Sequence, residues 1–304
     1  MIWCFGNPTR FVGANFRKLK PRTQTDYVRW LDRFKERFGL DDIQMWEEPA
    51  ARQDLNKWRG AWDHSPKQYD YAGTVVSLFL NWAVSEGYIS SNSCQRFKKL
   101  YEVDRSGIVW APSQVEEVIE KSPDWVGRIL ITATETGLRI GDFIGLTRNQ
   151  VETTPLGRRI SLKTNKRGVP AHIPVTPKMA EVIDNTPKDR LLILTNASGN
   201  PLTEHRASEG VRQWRDKAGL KPDSVGEDLR LNDARGTAAT RLLRAGVSLA
   251  QIAAHMGWSL RTAAQMIERY AQVSPEETDE VLTLLATAKE LCPKVGDGVI
   301  RRRG

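Results

Sequence analysis

Two arginines and one tyrosine in this chain have the types and setting needed to attack a phosphodiester. Arg139 stands in TGLRIGDFIGLT, Arg235 in LNDARGTAATRLL, and Tyr270 closes HMGWSLRTAAQMIERY. Breaking a phosphodiester takes a nucleophile, positive charge over the nonbridging oxygens and a proton for the departing oxygen. A guanidinium suits the second task, because its planar fork contacts phosphate bidentately and stays charged at any working pH. A tyrosine hydroxyl suits the first, since a phosphotyrosyl link stores the bond energy and lets another hydroxyl reverse the step without ATP. The phenol pKa is near ~10, and neighbouring guanidinium groups favour the phenolate. Taken singly, each residue has a plainer reading: a surface ion pair for an arginine, a half-buried packing side chain for a tyrosine. Their order along the chain carries the chemical reading.

Helices must do the positioning. From Thr23 as N-cap, Tyr27, Trp30, Leu31, Phe34 and Phe38 recur at helical spacing, and Gly39 stands where a helix stops. A second helix is expected over 50–62, and a third carries Val75, Leu78, Phe79, Trp82 and Ala83 before Gly87. Residues 1–100 therefore read as a helical domain, and YEVDRSGIVW over 101–110 as a linker. A second domain over 111–275 opens at Pro112, with Ser113 and Glu116 spaced as a capping box. After a helix carrying Arg139, RRISLKT and GVPAHIPV alternate with period two around NKRG, which predicts a β-hairpin. Thr203 caps a helix through residue 218, and 234–273 reads as helical with breaks at Gly246 and Gly257. The tail, 276–304, holds one amphipathic stretch with Val281, Leu284, Leu285 and Ala288 on a face and ends in RRRG. That stretch could pack on its own domain or dock onto a neighbouring protomer. The fold class expected is mostly α: an N-terminal helical domain plus an α-helical second domain carrying a small β-hairpin or sheet.

Composition narrows the function classes. With 304 residues, 40% hydrophobic and 27% charged, the chain is of a size and texture for two globular domains. No run of eighteen apolar residues and no secretory signal is visible, so no membrane association and a cytoplasmic location are expected. Cys4, Cys94 and Cys292 lie far apart, and His64, His172, His205 and His255 form no ligand spacing. Neither a disulfide framework nor a metal site is expected, and no cofactor. The net charge of +8, shared by both halves, suits a polyanionic partner.

Residues 111–275 resemble the catalytic domain of the tyrosine recombinase, or phage integrase, family. TGLRIGDFIGLT is similar to the family's first arginine box, with Asp142 as the following acidic residue. RRISLKTNKRGVPAHIPV is similar to the lysine-bearing hairpin, NDARGTAATRLLRAGVSLAQIAAHMGWS to the second arginine box, and MIERY to the nucleophile segment. The helical residues 1–100 resemble, in architecture, the family's SAM-like core-binding domain. The resemblance implies that Arg139 and Arg235 clamp the scissile phosphate and that Tyr270 attacks it. It makes Lys163 the acid for the departing 5′ oxygen, with Lys166 as competitor. Asn232 stands where the family usually has histidine and can donate to a phosphate oxygen without exchanging a proton. Trp258 replaces another frequent histidine, and its indole N–H can also donate. His255 reads as a bystander. The implied activity is site-specific DNA recombination through a 3′-phosphotyrosyl intermediate and a Holliday junction. The implied partners are double-stranded DNA with a specific core site, three further copies in a synaptic tetramer, and accessory proteins that bend the DNA, with association to the nucleoid. The few residues before Lys18 suggest a simple recombinase that recognises core sites alone. Two other readings share these residues: a DNA-binding protein of the same fold with a decayed site, and type IB topoisomerase-like strand relaxation.

Overall fold

The computed structural model describes residues 14–102, 105, 107–166 and 168–270; the side chains of residues 14, 15, 267, 269 and 270 lie outside that description. The chain divides into two compact units, Met1–Val103 and Asp104–Gly304.

The first unit comprises α1 (Ala14–Arg17), α2 (Pro21–Phe38), α3 (Ala51–Arg59) and α4 (Pro66–Ser85), with 3-10 turns at Ile43–Glu47 and Gly60–Trp62. α2 starts at Pro21 with Lys20 as its extended cap, not at the expected Thr23. Proline at the first helical position has its φ already set and lacks only an N–H that would go unpaired, so no side-chain cap is needed. Trp30, Leu31, Phe34 and Phe38 form the buried stripe of α2. Against it pack Trp46, edge-on to Phe38 at 5.1 Å, and Phe79 at 6.2 Å from Phe34. Such aromatic pairs add about 0.5–1.5 kcal/mol each to the burial of their area. Cys94 is free and buried here, and burial pushes its thiol pKa up. Cys4 and Cys292 lie outside the described residues.

The second unit runs α5 (Pro112–Lys121), α6 (Asp124–Thr136), α7 (Ile140–Phe143), β1 (Val151–Thr154), β2 (Gly157–Lys163), β3 (Pro170–Pro174), α8 (Pro177–Asp184), α9 (Glu204–Lys217), α10 (Pro222–Val225), α11 (Ala234–Arg244), α12 (Leu249–Met256) and α13 (Leu260–Tyr270). The expected Ser113–Glu116 capping box does not form. Pro112 takes the first helical position, so Ala111 is the cap, and its N–H donates to Gln114 Oε1 at 2.8 Å. α6 is the central helix: Val126, Ile129, Leu130 and Ala133 are buried, and it packs on α5, α8, α9 and α11.

The sheet is antiparallel in the order β1-β2-β3. Ile160 opposes Val151 on one side and Ile173 on the other, and Ile160, Leu162, Ala171 and Ile173 are buried. Period-two alternation aims these four residues into the core. Lys163, the last residue of β2, pairs with Pro170. The hairpin agrees with the expectation; the third strand, β1, was not foreseen, because four mostly polar residues with an irregular burial pattern carry no strand signal of their own. Among the described residues, no helix is long and apolar enough to cross a membrane. The tail helix expected over 276–291 lies outside them.

α6 ends at Gly137, whose φ is 62°. A Cβ there would lie 2.8 Å from Met256 Sδ and 3.0 Å from Ala238 Cβ. We predict that Gly137→Ala lowers the stability of this unit by about 1–3 kcal/mol, from left-handed backbone strain and overpacking. Urea unfolding checks this, and an unchanged midpoint would show that the turn relaxes at no cost.

Candidate active site

Arg139 does not sit on a helix, as its flanking pattern had suggested. Gly137 stops α6, Leu138 turns into the core at 4% exposure, and Arg139 is left extended, at φ −72° and ψ 151°, as the residue that caps α7. Its carbonyl accepts the N–H groups of Asp142 and Phe143 at 2.8 and 3.0 Å. The side chain is half-buried and, among the described residues, has no hydrogen-bond or ion-pair partner.

The end of α6 is gripped from α11 and α12. Arg235, in the first turn of α11, donates through Nη1 to Gly137 O and through Nη2 to Met256 O, both at 2.5 Å. Its guanidinium lies over the Trp258 ring at 5.0 Å. His255 Nε2 donates to Thr136 O at 3.1 Å. Arg241 Nη1 donates to the buried Glu135 carboxylate at 2.5 Å, whose other oxygen accepts the Thr176 hydroxyl at 2.6 Å. Three successive residues, Glu135, Thr136 and Gly137, are thus held by three side chains of the second box and its downstream helix. The last carbonyls of a helix have no partner within it; the two arginines satisfy both the hydrogen bond and the negative end of the dipole, and His255 satisfies the hydrogen bond. Each such charged bond contributes about 1.5–3 kcal/mol.

The hairpin is tied to the first box by Asp142, which is buried. Asp142 Oδ1 accepts the Asn165 N–H at 2.6 Å, and the Asn165 amide donates to Gly141 O. Beside it, Thr164 pairs with Val169 through N–H to carbonyl at 2.9 Å, and its methyl lies 3.6 Å from the place a Cβ would take on Gly257. Gly257 is left-handed, with φ 59°, and joins Met256 to Trp258. Lys163 is therefore carried on a strand end whose next two residues touch both boxes. Lys163 and Lys166 are exposed and, among the described residues, unpaired. Nothing in the sequence pattern marked Asn165 as more than a turn residue, and its anchoring role shows only in three dimensions.

Asn232 lies in the 3-10 turn Leu231–Asp233 that leads into α11; it is exposed, and among the described residues its amide has no partner. Trp258 is half-buried against Ala239, Ile252 and Met256. Tyr270 closes α13, which packs on α11 and α12; its side chain is outside the described residues. The contacts thus bring the segments of Arg139, Lys163, Arg235 and Trp258 together, Asn232 adjoins them through the chain, and the Tyr270 hydroxyl has no described place.

The model of the phage integrase family matches residues 111–277. The chain belongs to the phage integrase family. It is accordingly a site-specific recombinase, an enzyme that cuts and rejoins DNA strands. Among solved structures the recombinase is similar to a lambda integrase dimer bound to a COC′ core site, at 17% identity and a TM-score of 0.70 over 88% of this chain and 80% of that one. It is also similar to a lambda integrase tetramer bound to a Holliday junction, at 17% identity and a TM-score of 0.65 over 81% and 74%. A third is the Tn1549 transposon integrase in complex with circular intermediate DNA, at 17% identity and a TM-score of 0.62 over 90% and 98%. No curated protein matches the chain significantly. The mostly helical fold with a small antiparallel sheet agrees with the sequence reading.

In this recombinase His255, a bystander to the chemistry in the sequence reading, bolts α12 to the end of α6. Burial pushes its pKa down; the hydrogen bond to Thr136 works in the opposite sense, and the nearby Arg241 and Arg235 lower it further. A depressed folded-state pKa means that the unfolded chain binds more protons, so stability is complete above about pH 6.5 and is lost as pH falls below it. We expect the midpoint of thermal unfolding to drop between pH 7.5 and 5.5, and to drop less in His255→Gln. Equal pH slopes for the two proteins would contradict this role.

Proposed function

We propose that this recombinase cleaves one DNA strand through Tyr270, with Arg139 and Arg235 as the phosphate clamp and Lys163 as the acid. The Tyr270 phenol loses its proton to solvent and its oxygen forms a bond to phosphorus; the bond to the 5′ oxygen breaks, and the Lys163 ammonium gives that oxygen a proton. The product is a 3′-phosphotyrosyl link and a free 5′ hydroxyl. Attack by the 5′ hydroxyl of a second strand reverses the step, and no ATP is consumed. Asn232 and Trp258 complete the cradle as neutral N–H donors.

The observation that carries this reading is that Arg139 and Lys163 have no carboxylate partner among the described residues and stand on segments tied to each other, whereas many other arginines are paired. Arg105, Arg158, Arg159, Arg212, Arg215, Arg230 and Arg241 all have carboxylate partners. Arg139 and Lys163, together with the Asn232 amide, have none among the described residues, and their segments are tied to one another. A guanidinium and an ammonium without a carboxylate partner are available to bind a phosphate through charge-assisted hydrogen bonds. The similarity to DNA-bound integrases supports a duplex core site as substrate, and the junction-bound tetramer supports synapsis of four copies. DNA-bending accessory proteins and association with the nucleoid belong to the same proposal. In it, the helical residues 1–100 also contact the core site.

A nicked suicide duplex carrying the core site should trap the wild-type protein covalently at the 3′ phosphate, and Tyr270→Phe should trap none; equal trapping would remove Tyr270 from the nucleophile's role. Lys163→Ala should slow cleavage by about 10²–10⁴-fold. A substrate with sulfur in place of the 5′ oxygen, whose thiolate leaves without a proton, should restore it. If Lys166→Ala behaves this way instead, the acid is Lys166. Asn232→His should alter the rate by less than about tenfold, as for a residue that orients phosphate without proton transfer; a gain of several orders of magnitude would show that the asparagine cripples the enzyme.

A further inference from the structure

Where the second unit begins, the chain is fastened to the second arginine box by a contact that the chemistry above does not use. The units divide between Val103 and Asp104. One residue further, Arg105 Nη2 donates to Asp233 Oδ2 at 2.7 Å and to the Asp228 carbonyl, while Nη1 lies 3.8 Å from the Asp228 carboxylate. The Asp233 side chain is 7% exposed, and the same oxygen accepts the Arg230 N–H at 2.8 Å. Asp228 is braced in turn by Arg215 and Arg230, each at 2.6 Å. Burial works to raise the Asp228 carboxyl, yet these two arginines carry it below the usual range. Five residues on, the Trp110 N–H donates to the Thr237 hydroxyl at 2.8 Å and its indole Nε1 to Arg230 O at 3.0 Å. The stretch 105–110 is therefore laced to 228–237 at both ends, and the laced segment contains Asn232 and Arg235.

We propose that Arg105 is a positioning residue that holds the Asp233 turn and through it the geometry of Asn232 and Arg235. This rests on the recombinase reading above. Covalent connection makes Arg105 the first described anchor at which the second unit receives the linker. Its partner carboxylate belongs to the residue between Asn232 and Ala234, in the turn that aims both phosphate donors. Seated, Arg105 neutralises Asp233 and fixes that turn. Unseated, it leaves a buried charge with one backbone N–H, a state that drives rearrangement of the turn. Misplacement of a clamping group by about 1 Å can cost on the order of 10²-fold in rate.

Single-turnover cleavage of the nicked core-site duplex by the full chain tests this, with hydrogen exchange over 228–237 followed in parallel. Arg105→Ala should cleave on the order of 10- to 10²-fold more slowly at saturating DNA, with the half-saturating DNA concentration unchanged. Exchange over 228–237 in the DNA complex should rise. Arg105→Lys should recover most of the rate, but not all, because one ammonium cannot bridge the Asp233 carboxylate and the Asp228 carbonyl as a fork does. If Arg105→Ala does not fold, Arg105→Lys decides: a several-fold slower rate at unchanged DNA affinity supports the proposal, and the wild-type rate overturns it. A defect confined to DNA affinity also overturns it, by making Arg105 a phosphate contact. If the wild-type protein forms no covalent complex, the Tyr270 chemistry has failed. The exchange measurement on uncleaved duplex still judges the positioning role: equal exchange over 228–237 in wild type and Arg105→Ala rejects it.

Discussion

The last turn of α6 exposes carbonyls that no later helical N–H can reach, and the protein satisfies them with side chains from far along the sequence. Arg235 takes Gly137 O, His255 takes Thr136 O, and Arg241 takes the carboxylate of Glu135. This grip makes one object of two arginine boxes separated by the whole sheet and α8 to α10. It fixes where Arg139 leaves the helix, because Leu138 alone lies between the gripped turn and that arginine. It also sets Arg235 against Trp258, since the same guanidinium holds Met256 O. Loss of the grip would release Arg139 and Arg235 together, so under the proposed phosphate clamp stability and catalysis share one set of hydrogen bonds.

The hairpin is held by a second, smaller device. Asp142 and Asn165 fasten the residues after Lys163 to the residues after Arg139, and Thr164 meets the Gly257 turn. The ammonium stays exposed while the backbone that carries it is tied down. A proton donor at the leaving oxygen needs such an arrangement, because a long flexible side chain reaches its target only if its root is in place. Burying Asp142 beside this turn has an energetic cost, and its Oδ2 has no hydrogen-bond partner among the described residues. That cost is of the kind tolerated where geometry serves function.

The sequence made the elements legible where periodicity was long: α2, α4 and the helices from α11 to α13 follow from their apolar stripes, and β2 and β3 from alternation. Starts were less legible, because Pro21 and Pro112 each set a helix beginning that side-chain cap patterns placed a few residues later. β1 was invisible because its four residues gain strand character only from β2. The candidate set of Arg139, Lys163, Asn232, Arg235, Trp258 and Tyr270 came from the resemblance to the family's motifs. The supports of that set, Glu135 with Arg241, Asp142 with Asn165 and His255 with Thr136, join positions 23 to 119 residues apart. No local pattern encodes such pairs, since each half is an ordinary helix or turn residue by itself.

The central claim is that Arg235 braces the end of α6 while it clamps the phosphate that Arg139 and Lys163 also reach. A crystal structure of the full chain on an uncleaved core-site duplex tests it most directly. The account predicts one phosphate contacted by both guanidinium groups, with the Gly137 and Met256 carbonyls still accepting from Arg235 and the Lys163 ammonium beside the 5′ oxygen. A complex in which Arg235 has left those carbonyls, or in which the two arginines bind different phosphates, would contradict it.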